Sequence, residues 1–152
     1  MKIAACLLGA LLLFLLGMLI GSSPLLASDD AVDADKAKAV SAMTDWLATM
    51  DAGDYGKTWN DAAKSFQHAI SSDQWVAAST SVRTPLGKLE SRKLASAALQ
   101  SSTTGIGMPK GAFVVAQFDT SFDNLKAARE TVTFVKEADG AWRAAGYYIK
   151  PQ

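Results

Sequence analysis

The chain has 152 residues, 49% of them hydrophobic and 20% charged, with 15 Lys plus Arg against 15 Asp plus Glu. Residues 1–27 hold 20 of its 75 apolar positions, which leaves 55 among the other 125. That remainder suits one ordinary globular domain and argues against a disordered chain, and the balanced charge offers no basic footprint for nucleic acid.

The first segment reads as an address. Met1-Lys2 supplies a positive end, Ile3 to Ile20 is an almost unbroken apolar run, Gly21-Ser22-Ser23-Pro24 interrupts it, and Leu25-Leu26-Ala27 ends on a small residue. These are the parts of a secretory signal peptide, so cleavage after Ala27 and a periplasmic or secreted location are expected. The competing reading is a retained membrane anchor, because the run is close to the roughly 20 residues a spanning helix needs. The only cysteine, Cys6, lies inside the run. Ile3-Ala4-Ala5-Cys6 imitates a lipoprotein cleavage box but stands ahead of the apolar stretch instead of after it. A chain cut at Ala27 has no disulfide, no thiol nucleophile and no thiolate zinc site.

Ser28 to Asp35 carries four aspartates and reads as a solvated acidic lead whose last acids suit a helix N-terminus. Residues 36–152 then form one expected domain. Lys36 to Ala52 has helical periodicity, with Val40, Met43, Leu47 and Met50 on one face and Gly53 as a stop. Asp54 can cap a second helix over Tyr55 to Ala69, whose inner face carries Tyr55, Trp59, Ala62, Ala63, Phe66 and Ile70. Ser71 and Gln74 make a capping box for a third helix, flanked by Ile70 and Trp75 as a hydrophobic staple. That helix ends near Arg83, before Thr84-Pro85-Leu86-Gly87.

From Lys88 the pattern turns to strands. Lys88 to Leu99 leans to a strand, and Gln100 to Gly111, rich in Ser, Thr and Gly and holding Pro109, reads as a loop. Ala112 to Thr120 is a strand, Ser121 to Ala127 a turn, and Ala128 to Glu137 a strand. Ala138-Asp139-Gly140 makes a hairpin turn. Ala141 to Ile149 closes the chain, with Trp142, Ala144, Gly146 and Tyr148 alternating against Arg143, Ala145, Tyr147 and Ile149. Three helices followed by about four antiparallel strands imply an α+β domain with the helices laid on one face of a curved sheet. Such a sheet leaves a hollow, in outline the cystatin-like or NTF2-like cone.

The joint pattern over Val40 to Ile149 resembles the bacterial family catalogued as domain of unknown function 4019. The residues that carry the resemblance are Asp54-Tyr55, Trp59, Phe66, Gln74-Trp75, Arg83-Thr84-Pro85-Leu86-Gly87, Ser91-Arg92, Asp119-Thr120-Ser121-Phe122, Glu130-Thr131, Asp139-Gly140-Ala141-Trp142-Arg143 and Gly146-Tyr147. Phe113 stands where the pattern leads one to expect tyrosine. The resemblance implies an exported bacterial protein and brings no activity, cofactor or catalytic residue with it.

Candidate chemistry is sparse. His68, the only histidine, falls on the polar side of the second helix beside Asp61 and Lys64, as a solvated surface residue. Asp119 near a strand end, with Tyr147 or Tyr148 opposite, invites comparison with isomerases that pair a carboxylate base with hydrogen-bond donors in an apolar cavity. The plainer reading makes Asp119-Thr120-Ser121 the start of a turn. Arg83 and Arg92 flank the Pro85-Leu86-Gly87 corner and can clamp a carboxylate or phosphate. Their structural alternative has Arg83 on helix carbonyls and Arg92 paired with Glu90 or Glu130. The tryptophans at helical spacing are expected core, and no phosphate loop, dinucleotide turn, paired histidine or calcium loop occurs. The expectation is a binding or accessory module that uses no cofactor, with Arg83, Arg92 and Tyr147 as candidate ligand-binding residues. Its partner is expected to be a small molecule or an envelope protein, not nucleic acid, with the membrane involved only if the leader stays attached. The alternative is a cavity-based isomerase or dehydratase.

Overall fold

The computed structural model describes residues 24–102 and 111–152, with the side chains of 24–28 and 102 excepted. The expected leader as far as Ser23, with Cys6, and most of the Ser/Thr/Gly-rich loop, with Pro109, lie outside the described residues. Helices come first and strands second. The elements are α1 (Pro24–Asp51), α2 (Tyr55–Asn60), α3 (Lys64–Ala69) and α4 (Ser72–Arg83), then a 3-10 turn (Thr84–Leu86). The strands are β1 (Leu89–Ser102), β2 (Gly111–Phe122), β3 (Leu125–Lys136) and β4 (Trp142–Pro151). They pair antiparallel in the order β1-β2-β3-β4, so the α+β class follows with a simple meander.

Helix α1 starts earlier than its periodic stripe. The acidic lead is part of the helix, and its last acid, Asp35, meets Lys136 of β3 at 2.7 Å. Proline suits a first helical turn, where its missing N–H is no loss. The stripe behaves as expected at Met43, Leu47 and Met50, which are buried together with the flanking Ala39 and Trp46, while Val40 is only half-buried. The helix ends in a Schellman motif. Gly53 N–H donates to Met50 O at 3.0 Å and Asp54 N–H to Thr49 O at 3.2 Å, with Gly53 at φ +79°. Only a residue at ease in the left-handed region closes that pattern without strain.

The expected second helix is two helices. Asp54 caps α2 through Lys57 N–H at 3.0 Å, but Ala63 is extended, at φ −61° and ψ +151°. Tertiary partners outbid the helical ones there. Ala63 N–H donates to Ala144 O of β4 at 2.8 Å, and Lys64 N–H to Glu137 Oε1 at 3.0 Å. The carbonyls stranded at the end of α2 are satisfied by Gln67 Nε2, which donates to Trp59 O and Asn60 O. The apolar face survives the break, because Ala62 and Ala63 are buried and Trp59, Phe66 and Ile70 pack on the core.

The strands are longer than their apolar cores. β2 runs through Asp119-Thr120-Ser121 to Phe122, and the turn is only Asp123-Asn124. The Asp139-Gly140 hairpin forms as expected, Glu137 N–H donating to Ala141 O at 2.9 Å. Register shifts set which residues face the helices. β1 shifts register between Leu94 and Ser96. β3 and β4 shift between Thr133↔Gly146 and Phe134↔Ala144, leaving Ala145 as the extra residue. A one-residue insertion exchanges the two faces of every position beyond it. The single alternation expected along β4 is therefore wrong past Ala145. Tyr147 joins Trp142 and Ala144 on the core side, while Tyr148 is 62% exposed.

Aromatic rings pack much of the space between helices and sheet. Trp46 lies edge-on to Phe134 at 6.2 Å and 5.8 Å from the Tyr147 ring, and Trp75 is met edge-on by Phe66 at 5.0 Å. Buried Thr58 fixes two of the indoles. Its carbonyl accepts from Trp46 Nε1 and its hydroxyl from Trp75 Nε1, both at 3.0 Å.

Candidate functional site

Arg83 ends α4, a helix whose start is secured by the expected capping box. Ser71 Oγ accepts Gln74 N–H at 3.3 Å, and Gln74 Oε1 accepts Ser71 N–H at 3.1 Å. Trp75, Ser79 and Arg83 follow at four-residue steps and are the buried residues of the helix. The corner after Arg83 is pinned to the β2–β3 hairpin. Asn124 donates to Leu86 O from its backbone and to Pro85 O from its side chain. Gly87, at φ +76°, comes so close to the hairpin that a Cβ there would lie 2.7 Å from Asp123 Cβ. This docking sets the Arg83 guanidinium 4.6 Å from the centre of the Phe122 ring.

Beside that ring the chain assembles a buried set of four charges. Glu130, fully buried on β3, accepts Arg83 Nη1 at 3.0 Å on one oxygen and Arg92 Nε at 2.6 Å on the other. Asp51, in the last turn of α1, accepts Arg92 Nη1 at 2.6 Å and Nη2 at 2.9 Å, and also Arg83 Nη2. Thr120 Oγ1 donates to Glu130 at 2.7 Å and Tyr147 OH donates to it at 2.6 Å. Tyr147 OH in turn accepts Arg83 Nη1 at 3.1 Å. Two guanidinium ions face two carboxylates, so the set is neutral as a whole.

The electrostatics follow from this closure. Burial opposes the charge on Arg92, but its hydrogen bonds to Asp51 and Glu130 outweigh burial and hold it ionised well above its ordinary range. Arg83 is likewise raised, burial being outweighed by Tyr147, Glu130 and Asp51. Burial, then the Glu130 charge, pushes the Tyr147 phenol far above its usual value, so it stays a proton donor at any physiological pH. The four charges are thus balanced within the chain, and the Tyr147 proton is held there.

The structure thus brings together the three sequence-derived candidates Arg83, Arg92 and Tyr147. Arg92 pairs with Glu130, one of the two partners expected for it, whereas Arg83 takes carboxylates and a phenol where helix carbonyls were expected. A pocket of about 200 Å³ opens beside them between α4 and β4, with Arg83 and Tyr147 on its wall and Trp75, Ala78, Ser79, Val82, Tyr148 and Ile149 around it. Arg92 stands behind this wall and does not line it.

The other candidates lie elsewhere. His68 is exposed on α3, as its helical position predicts. Asp119 sits on an exposed position of β2, held by Gln152 Nε2 at 2.7 Å and by Arg129 Nε at 2.9 Å. The Gln152 hydrogen bond, then Arg129, lowers its pKa, the opposite of what a base raised by an apolar cavity needs. Asp51, Thr120 and Ser79 escaped sequence reasoning. Asp51 reads as an ordinary polar residue at a helix end, and Thr120 as the end of a strand or the start of a turn. A small polar residue between Trp75 and Arg83 at helical spacing was the one available signal for Ser79.

The family model described as "Protein of unknown function (DUF4019)" matches residues 42–147. That span runs from α1 to Tyr147 and contains all four charged residues of the buried set, and the chain belongs to this family. No curated protein matches it.

Proposed function

We propose that this member of the DUF4019 family is an exported binding module that works without a cofactor and receives its ligand between α4 and β4. One observation carries the reading. The pocket there opens against a polar wall whose hydrogen bonds and charges are already satisfied from behind by Glu130 and Asp51. A wall of that kind is pre-organised, and pre-organisation favours binding because little is lost in ordering it. General acid–base catalysis asks for the reverse, a group whose proton is free to move near neutral pH, and Tyr147 is held far from that condition. The exposed apolar side chains Val82 and Tyr148 at the pocket suit a ligand with an apolar part.

The export half of the proposal rests on the leader: one lysine, the run Ile3 to Ile20, and the small residue Ala27. Mass spectrometry of the protein expressed in bacteria with its own leader is expected to find a chain beginning at Ser28 in the periplasmic fraction; a chain retaining residues 1–27 refutes cleavage, and recovery in the cytoplasm refutes export. For the binding half, Ala78→Trp is expected to fill the pocket while leaving the fold intact. Small molecules released on denaturing the wild type should then be missing from the variant. If the folded variant releases the same molecules, binding lies elsewhere.

A further inference from the structure

We infer that the α4–β4 pocket takes a neutral small amphiphile, a single ring or short chain bearing one hydroxyl or carbonyl group that hydrogen-bonds to Ser79. This rests on the reading of that pocket as the binding site and adds the chemical class of the ligand.

The first argument is the hydroxyl. Ser79 is 4% exposed, lines the pocket, and its Oγ is buried without a hydrogen-bond partner among the described residues. Buried hydroxyls are nearly always paired, and a serine inside a helix can normally bond the carbonyl four residues back. Here it does neither. Its donor and acceptor are both unused at the edge of the pocket that Ser79 lines, and rotation about χ1 is what brings the hydroxyl to a ligand there.

The second argument is size. The pocket exists because Ala78 and Ser79 place two small residues where the α4 ladder has Trp75 above and Arg83 below. Its volume of about 200 Å³ is close to the roughly 150 Å³ of apolar cavities that hold one benzene molecule. That is room to bury one ring or a short alkyl chain.

The third argument is charge. The guanidinium on the wall, Arg83, is already neutralised by Asp51 and Glu130. An anionic head group would give up its hydration and find no uncompensated positive charge to replace it. A neutral polar group has no such loss and is matched by the unpaired hydroxyl of Ser79.

The test compares three probes on the purified protein: benzyl alcohol, toluene and benzoate. Binding is read from tryptophan fluorescence and from backbone amide shifts over Trp75–Arg83 and Tyr147–Ile149. Benzyl alcohol is expected to shift those amides and to bind about fivefold or more tightly than the other two. Ser79→Ala, with its fold checked by circular dichroism, is expected to weaken benzyl alcohol by about fivefold and to leave toluene unchanged. Equal affinities for toluene and benzyl alcohol in both proteins would overturn the ligand class while leaving the pocket as a binding site. Benzoate binding tightest would overturn the requirement for neutrality. If no probe moves those amides, and Ala78→Trp leaves the molecules released on denaturation unchanged, the binding site itself is refuted.

Discussion

Replacing Glu130 by glutamine keeps the side-chain volume and removes a negative charge from a position with no solvent exposure. One carboxylate oxygen accepts Arg83 and Tyr147, the other Arg92 and Thr120. A glutamine carbonyl can replace only one of those oxygens, so its NH2 group must face the other pair of donors. Tyr147 or Thr120 can turn its hydroxyl to accept, but an arginine N–H cannot. Whichever way the amide is set, one guanidinium loses its bond to residue 130, and two largely buried positive charges are left with Asp51 as their only carboxylate. Loss of a hydrogen bond to a charged group costs about 1.5–3 kcal/mol, and a stranded buried charge brings such changes to about 3–5 kcal/mol. That is a large part of the roughly 5–15 kcal/mol that holds a typical domain folded. Urea denaturation followed by tryptophan fluorescence should show a midpoint lower by about 1 M or more. Adding Arg83→Met to Glu130→Gln restores charge balance and should recover part of the loss, a coupling that a double-mutant cycle measures. A loss below about 1 kcal/mol at an unchanged slope would mean that Glu130 carries no buried charge, and the account of the site would fail.

Other consequences are smaller and separately checkable. Ser71→Ala removes the acceptor of the capping box and should lower stability by about 1 kcal/mol in the same urea assay. His68→Ala alters an exposed residue and should change stability by less than about 0.5 kcal/mol; a larger loss contradicts its placement on the outer face of α3. Arg143, with help from the Ala141 N–H, pulls the Asp139 carboxyl down from 3.8 to about 2. A depressed carboxyl stabilises the fold above its unfolded pKa, so this contribution is present above about pH 4 and disappears as the pH falls toward 2. An NMR titration should find the Asp139 midpoint near 2, moving toward 4 in Arg143→Gln.

Much of the architecture is legible in the sequence because local rules decide it. The Ser71/Gln74 box, the Gly53 stop, the Asp139-Gly140 hairpin and the apolar stripe of α1 each depend on residues a few positions apart. What the sequence hides is set by partners far along the chain. The break at Ala63 depends on a carbonyl of β4, so periodicity alone joins α2 and α3 into one helix. The Ala145 bulge is invisible to an alternation count, and it decides whether Tyr147 or Tyr148 faces inward. The site is half legible for the same reason. Arg83 and Arg92 stand out as cations beside a proline corner, and Glu130 is a plausible cross-strand partner. Asp51 has no local feature that separates it from the solvated aspartates earlier in α1.

The buried charges also bear on how the chain reaches its native state. Asp51 and Arg92 are 41 residues apart, Arg83 and Glu130 are 47, and Arg83 and Tyr147 are 64. Contacts of such long separation form slowly, and ions surrender their hydration only when every counter-ion is in place. The natural expectation is a latch that snaps shut after the main barrier has been crossed. Weakening it by Glu130→Gln should then hasten escape from the native basin while barely slowing entry, a division that stopped-flow mixing resolves. A protein latched in this way owes its lifetime more to a slow exit than to a deep equilibrium.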